Sequence, residues 1–356
     1  MLEDRLQKVR ERMLSLRLDA FLTLNYENIR YLTGFSGSAS AILITKNESF
    51  FLTDFRYRTH AEAEVKGFEI KEYKRQKKGI IDHINSLSLK RVGFESPHIS
   101  YSFFDDLKNG LNVVELIPCV NIIEDIRTIK DASEIEYIKK AVQIIEKVFL
   151  KICDIVKGGL KEKDIAAEIG YQLRKAGSEG EPFDVIVASG ERSALPHGVA
   201  GDKVISDGDL IILDFGAKYM GYNSDITRTF VVGESYSRQE DIYRLVTLAQ
   251  TRAIESIRPG ILAKEIDGIA RDIISEAGHG ENFGHGTGHG VGLAIHESPK
   301  ITWEEDVIIE ESMVFTVEPG IYIPGWGGVR IEDMIIVTSD GCEVLTSAIS
   351  KDLYII

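Results

Sequence analysis

The pattern of apolar and polar positions changes texture near residue 125. Before that point, short apolar runs alternate with stretches of helical spacing. Leu2, Leu6, Val9, Met13 and Leu16 recur every three to four residues and predict an N-terminal amphipathic helix. It leads into "DAFLTL". Then come "AILIT" and "SFFLTD", separated by the turn-like "KNE", and later "FEIKEY", "RVGFE" and "VVELI", each of strand length. Residues 1–125 therefore read as an α/β domain of modest size. Residues 126–356 open with a long helix capped by Asp131 or Ser133. Its buried side carries Ile135, Ile138, Val142, Ile145, Val148 and Ile152. Further helices are predicted near 162–176, 239–257 and 263–277, with several strands joined by hairpins.

One stretch resists this reading. Phe283 to Glu297 runs "FGHGTGHGVGLAIHE", with His285, His289 and His296 interleaved among five glycines. His285 and His289 would share a helix face, but each glycine costs a helix about 1 kcal/mol relative to alanine. The segment is expected to be extended or looped.

Two predicted hairpins flank it with acids. In "DLIILDFGAKYMGYNSDITRTFVV", strands Leu210–Asp214 and Asp225–Val232 surround a turn near Lys218–Gly221. Folding would set Asp214 beside Asp225. In "MVFTVEPGIYIPGWGGVRIEDMIIV", Glu318 and Glu332 are symmetric about Gly325, with the turn around Pro324–Gly328. Like charges placed directly opposite destabilise a hairpin. A single acid here reads as a solvated strand face; two symmetric pairs around a histidine segment point to a cation. Four carboxylates and one imidazole, His289, can bridge two divalent ions about 3.5–4 Å apart, with formal charges balanced. The glycines would let the backbone approach the metals and the substrate and adopt dihedrals closed to other residues.

Composition narrows the picture. With 356 residues, two domains are expected, and a 44% hydrophobic, 28% charged chain is an ordinary globular one. The net charge of −14 argues against a nucleic-acid partner and against an anionic membrane surface. Cys119, Cys153 and Cys342 are odd in number and far apart, which fits no disulfide framework or thiolate metal site. No apolar run is long enough to span a bilayer, and the N-terminus lacks a signal-peptide core. A cytoplasmic location is expected. "DFG" at Asp214 occurs without a kinase catalytic loop, and the glycines around His285 form no dinucleotide fingerprint.

Taken together, "LPHG", "LDFG…YNSDITRTF", "GHGTGHGVGLAIHE", "TVEPGIY" and "GGVRIED" resemble the M24 metallopeptidases. The likeness covers nearly the whole chain. It is to the Xaa-Pro aminopeptidase (aminopeptidase P) and prolidase branch, with methionine aminopeptidase and creatinase more distant. The resemblance implies an α/β N-terminal domain followed by an α+β pita-bread (creatinase/aminopeptidase) catalytic domain. It implies Asp214, Asp225, His289, Glu318 and Glu332 as metal ligands, with Asp225 and Glu332 touching both ions. It implies His197 and His296 in substrate binding and proton transfer, and Glu318 as proton acceptor. His285 falls at the substrate wall, and Tyr322 and Arg330 at pocket positions. Arg330 could steady Asp225 or Glu332. The cofactors implied are two divalent ions, Mn first, Co as a substitute, and Zn less suited to so oxygen-rich a site. The substrate implied is a peptide with proline second, and the assembly a homodimer in which the N-terminal domain caps the cleft. "NIRYLTGFSGS" and "LTDFRYRTHAEAE" resemble the proline-specific members. Within them the reading leans to aminopeptidase P, with a prolidase acting on Xaa-Pro dipeptides as the alternative. A metal-free amidinohydrolase or a non-enzymatic pita-bread module would have lost ligands that this chain keeps.

Overall fold

Leu6, Val9 and Met13 line the buried side of helix α1 (Leu2–Ser15), as their spacing predicts. Leu16 lies past the helix end and is exposed; Arg5 is buried instead, its guanidinium donating to the Tyr31 carbonyl at 2.7 Å. The structure, a computed structural model, describes residues 2–356. Its chain forms two compact units, Met1–Arg127 and Thr128–Ile356.

In the first unit α1 is followed by β1 (Ala20–Thr23), α2 (Tyr26–Thr33), β2 (Ser40–Thr45), β3 (Ser49–Thr53), α3 (Arg58–Glu64) and β4 (Glu69–Glu72). Then come α4 (Gln76–Ser86), β5 (Arg91–Glu95), α5 (Tyr101–Gly110), β6 (Glu115–Cys119) and α6 (Glu124–Thr128). The sheet runs β4-β3-β2-β1-β5-β6, antiparallel where β2 meets its two neighbours and parallel elsewhere. Leu22, Leu43 and Val92 from the strands pack against Ile80, Ile84 and Leu107 from α4 and α5. Buried Glu95 accepts from the Thr23 hydroxyl, the Leu24 and Asn25 N–H groups and the Asn28 amide, so it ties β5 to the start of α2.

The second unit begins with α7 (Ala132–Ile155) and α8 (Glu162–Lys175). Then come β7 (Ile186–Ser189), β8 (Leu210–Phe215), the ribbon β9 (Lys218–Tyr219) and β10 (Tyr222–Asn223), and β11 (Ile226–Val231). Helices α9 (Ser237–Ser256) and α10 (Ala263–Glu276) precede β12 (Gly288–Gly290), β13 (Glu297–Ile301), β14 (Val314–Val317), β15 (Gly320–Ile323) and β16 (Gly327–Arg330). The chain closes through β17 (Asp333–Val337), β18 (Cys342–Val344) and β19 (Tyr354–Ile355). One sheet is ordered β19-β11-β8-β7, another β13-β12-β14-β17-β18, and β15-β16 is a separate ribbon. Ile145 and Val148 of α7 and Ile165 of α8 bury against Ile211, Leu213 and Phe230 of the first sheet. Val246 of α9 and Ile266 and Ile274 of α10 bury against Phe315 and Ile335 of the second. Burial of such side chains, roughly 1.5–3 kcal/mol each, holds helices onto sheets whose inner edges carry the acids described below.

Asp131, and not Ser133, caps α7: its carboxylate accepts the N–H groups of Ser133 and Glu134, and the Glu134 carboxylate accepts the Asp131 N–H at 3.0 Å. Ile135 is only half-buried, while Ile144 and Phe149 complete the inner face. Among the described residues, no helix is long and apolar enough to cross a membrane. Asp131→Ala should destabilise the protein by about 1 kcal/mol, and Ser133→Ala by less. Urea midpoints measured at equal slope test this; the reverse order would reassign the cap.

Candidate metal centre

The first hairpin turns at Met220–Gly221, both at positive φ (49° and 81°). This is the backbone that two-residue hairpin turns require. It pairs Tyr219 with Tyr222, and the same register carries through β8 and β11 to set Asp214 opposite Thr227. Asp214 and Asp225 are therefore diagonal neighbours on one face and not side by side, because the turn lies closer to Asp225 than to Asp214. The diagonal leaves room for something between the two carboxylates.

The second hairpin is centred on Gly325 (φ 74°), as the sequence predicts. It is two ladders in one register: Val317 pairs with Asp333 below, and Gly320 with Arg330 above. Glu318 and Glu332 fall between the ladders, where the chains part. The Thr287 carbonyl takes the Glu318 N–H at 2.7 Å, and the Thr227 carbonyl takes that of Glu332 at 3.1 Å.

The histidine segment is extended, with His289 at the centre of β12 between β13 and β14. Its glycines do not adopt the unusual dihedrals expected of them, and two of them serve strand packing. None of the five has a positive φ. A Cβ on Gly288 would lie 1.9 Å from the Thr316 carbonyl oxygen, and one on Gly290 2.2 Å from that of Ser298. The glycines let neighbouring strands close on β12 from both sides. They grip the strand that presents His289.

Asp225, His289 and Glu332 each bring one potential ligand atom to within 4.8 Å of the others. Glu318 Oε1 lies 3.4 Å from His289 Nε2, and Asp225 Oδ2 3.7 Å from it. The Nδ1 of His289 meets the Gly290 carbonyl at 3.2 Å. A carbonyl only accepts, so Nδ1 carries the proton and Nε2 turns a lone pair toward the acids. Asp214 stands outside this trio, its Oδ2 held by Arg330 Nη2 at 2.6 Å. Three oxygens, Asp214 Oδ1, Asp225 Oδ1 and Glu332 Oε1, are buried without a hydrogen-bond partner. Buried acceptors left open are costly, and a divalent cation is the partner that suits several anionic oxygens and one imidazole at once. The donor set fits such an ion.

Arg330 organises the rest. Besides Asp214 it donates to Thr227 Oγ1 (3.1 Å), the Pro196 carbonyl (3.1 Å) and the Tyr322 hydroxyl (2.9 Å). The Thr227 hydroxyl donates to Glu332 Oε2 at 2.7 Å. The Tyr322 hydroxyl in turn donates to His285 Nε2 at 2.9 Å, while His285 Nδ1 donates to the Gly286 carbonyl. Arg330 thus steadies Asp214 directly and Glu332 through Thr227; Asp225 is not its partner. Burial raises the pKa of Asp225 and Glu332 well above the carboxylate range, and their acidic neighbours push further. Burial raises Glu318 as well. Burial lowers His285, keeping it neutral, and lifts Tyr322 to about 12.

His197 and His296 are exposed on the rim. The ring of His296 lies edge-on to His289 with centroids 4.2 Å apart. Its pKa is pushed down to about 4 by desolvation in the cleft and then by His289 and His197. The loop bearing His197 is fixed by buried Glu162, which accepts from the Ser189 N–H and hydroxyl, Arg192 and the Gly201 N–H. Three supporting residues escape sequence reasoning: Glu162, Thr227 and Arg228. Arg228, fully buried, pairs with Asp333 at 2.8 Å and donates to the Glu332 carbonyl. Thr227 follows from the register once the turn is placed at Met220–Gly221; the others carry no sequence signal beyond an isolated charge.

These features agree with what the chain resembles among known proteins. The model of Metallopeptidase family M24 matches residues 136–339, and that of the Creatinase/Prolidase N-terminal domain residues 5–129. The chain belongs to metallopeptidase family M24. It is an enzyme built from a creatinase-type N-terminal domain and an M24 pita-bread catalytic domain. This M24 chain is 41% identical to a Xaa-Pro dipeptidase of Pyrococcus horikoshii, over 97% of both chains. It superposes on a Xaa-Pro dipeptidase from Bacillus anthracis with a TM-score of 0.97 at 42% identity, covering 100% of both chains. Against an X-Pro aminopeptidase from Thermotoga maritima the TM-score is 0.89 at 40% identity, covering 97% of this chain and 100% of that one.

The raised carboxylates give the metal-free M24 chain a distinctive pH response. Asp225 and Glu332 hold protons more tightly folded than unfolded, so the folded state gains stability as pH falls toward the unfolded carboxylate pKa. The Tm of chelated protein should therefore rise as pH drops from about 9 to about 7.5, above the range in which histidines of the unfolded chain take up protons, and added divalent metal should raise it most at the upper end. A chelated Tm that falls over this interval would show that these acids are compensated by something else.

Proposed function

We propose that this protein is a divalent-metal-dependent prolidase that hydrolyses Xaa-Pro dipeptides. The observation that carries the reading is the convergence of Asp225, Glu332 and His289, with buried oxygens of Asp225, Glu332 and Asp214 left without a partner. The sequence alone leans to aminopeptidase P. The relatives named Xaa-Pro dipeptidase, at 41 and 42% identity over nearly the full length, favour the alternative.

In this reading Asp214, Asp225, His289, Glu318 and Glu332 hold two ions, Mn by preference for an oxygen-rich site. The ions supply Lewis acidity toward water and the scissile carbonyl. Arg330 and Thr227 keep Asp214 and Glu332 aimed inward, and the Gly290 carbonyl fixes the tautomer of His289. Glu318, with its raised pKa, takes the proton that the attacking water gives up. His296 and His197 line the rim where the substrate carbonyl and the leaving imino nitrogen need a donor. His285, neutral and fixed by Tyr322, faces the proline side.

A second reading, aminopeptidase P, draws on the Thermotoga maritima X-Pro aminopeptidase at 40% identity. An assay with Mn or Co separates the two. A prolidase cleaves an Xaa-Pro dipeptide and leaves the matched Xaa-Pro-Xaa tripeptide intact. Faster turnover of the tripeptide would give the second reading the preference, and full activity in chelator-treated protein would sink both. His296→Ala should lower kcat by about 10²–10⁴-fold with metal content unchanged, as loss of a proton-handling group does. If that variant loses its metal, His296 is a ligand and its role must be redrawn.

A further inference from the structure

Asp267 and Arg271 lie one turn apart on α10, and nothing in the chemistry above uses either. Their side chains form a two-point ion pair, Nε to Oδ2 at 2.8 Å and Nη2 to Oδ1 at 2.9 Å, around a fully buried carboxylate. The guanidinium reaches further. Its Nη1 donates to the Phe283 carbonyl at 2.8 Å and its Nη2 to the His285 carbonyl at 2.7 Å. From the other end, Asp267 Oδ1 accepts the Thr287 N–H at 3.0 Å and its hydroxyl at 2.9 Å. The guanidinium carbon lies 4.3 Å from the Phe283 ring centre and 4.6 Å from that of Trp303.

One ion pair thus anchors three alternate residues, 283, 285 and 287, of a stretch whose other members are Gly284 and Gly286. Glycine gives such a stretch little stiffness of its own. A buried ion pair is a poor source of net stability, because desolvation offsets the attraction, but it can fix one conformation among several. The planar fork of arginine spans two carbonyls at once and stacks on rings; a lysine ammonium does neither. The residue held in the middle is His285, whose imidazole meets the Tyr322 hydroxyl.

We propose that Arg271, itself held by Asp267, is a positioning residue for His285. It fixes the backbone that aims the imidazole at the proline side of the cleft, and so sets discrimination for proline without touching metal binding. The kinetic half of this rests on the Xaa-Pro reading above; the structural half rests on the geometry alone.

The test uses full-length Arg271→Lys and Arg271→Met. Lysine keeps the pair with Asp267 and a folded protein, but cannot hold both carbonyls. Three quantities are measured: bound metal, amide hydrogen exchange over residues 283–288, and kcat/KM for matched Xaa-Pro and Xaa-Ala dipeptides. The expected result for Arg271→Lys is unchanged metal content and about tenfold faster exchange in that segment. The Xaa-Pro to Xaa-Ala ratio of kcat/KM should fall by about tenfold, with Arg271→Met lower still. Unchanged exchange in both variants overturns the strut, and an equal loss on both substrates overturns its role in specificity. A wild-type enzyme without proline preference would instead defeat the functional reading, a failure visible before either variant is made.

Discussion

Asp225 and Glu332 are buried together, and besides burial the charges of Asp214 and Glu318 raise the proton affinity of both. A polypeptide can tolerate this in two ways. It can protonate the group, or it can supply positive charge from outside the chain. The guanidinium of Arg330 binds the Asp214 carboxylate and leaves three oxygens of the cluster open. That constraint explains why so much of the second unit is arranged as it is. Two hairpins bring the acids in from different sheets, and the strands around them carry hydrophobic cores rigid enough to resist the repulsion.

The polar groups behind the acids follow from the same constraint. Thr227 stands opposite Asp214 in the ladder and donates its hydroxyl hydrogen bond to Glu332, so one side chain links both hairpins. Arg228, one residue on and facing the other way, pairs with Asp333 and donates to the Glu332 carbonyl. Successive residues of β11 therefore brace the carboxylate and the backbone of the same glutamate. The chain Arg330–Tyr322–His285 extends this order to the substrate side, and each bond in it has one possible donor direction once His285 is neutral. Preorganised polar groups of this kind act on a developing charge without having to move.

Gly288 and Gly290 of the histidine segment are a matter of strand spacing. Thr316 and Ser298 press their carbonyls to within about 2 Å of where a Cβ would be on Gly288 and Gly290. An alanine at either position would force β12 away from its neighbours and carry His289 with it. The extended conformation was legible because glycine is a poor helix former. The reason for the glycines was not, because it depends on which strands flank β12.

By itself the sequence determined the elements, the order of the two units and the identity of the acids and histidines. Periodicity, caps and turn residues act over a few positions, and the motifs are local strings. The centre at Gly325 belongs here too, since Pro-Gly leaves little choice of turn. Tertiary structure decided how these parts face one another. It moved Asp214 from beside Asp225 to a diagonal, because the positive φ angles at Met220 and Gly221 shift the register by two residues. It gave Arg330 directly to Asp214, to Glu332 only through Thr227, and not to Asp225. It also recruited Glu162, Arg228 and Asp267, which in the sequence look like ordinary surface charges. Their burial is a property of contacts between residues tens to more than a hundred positions apart, and no local pattern encodes which charge will meet which.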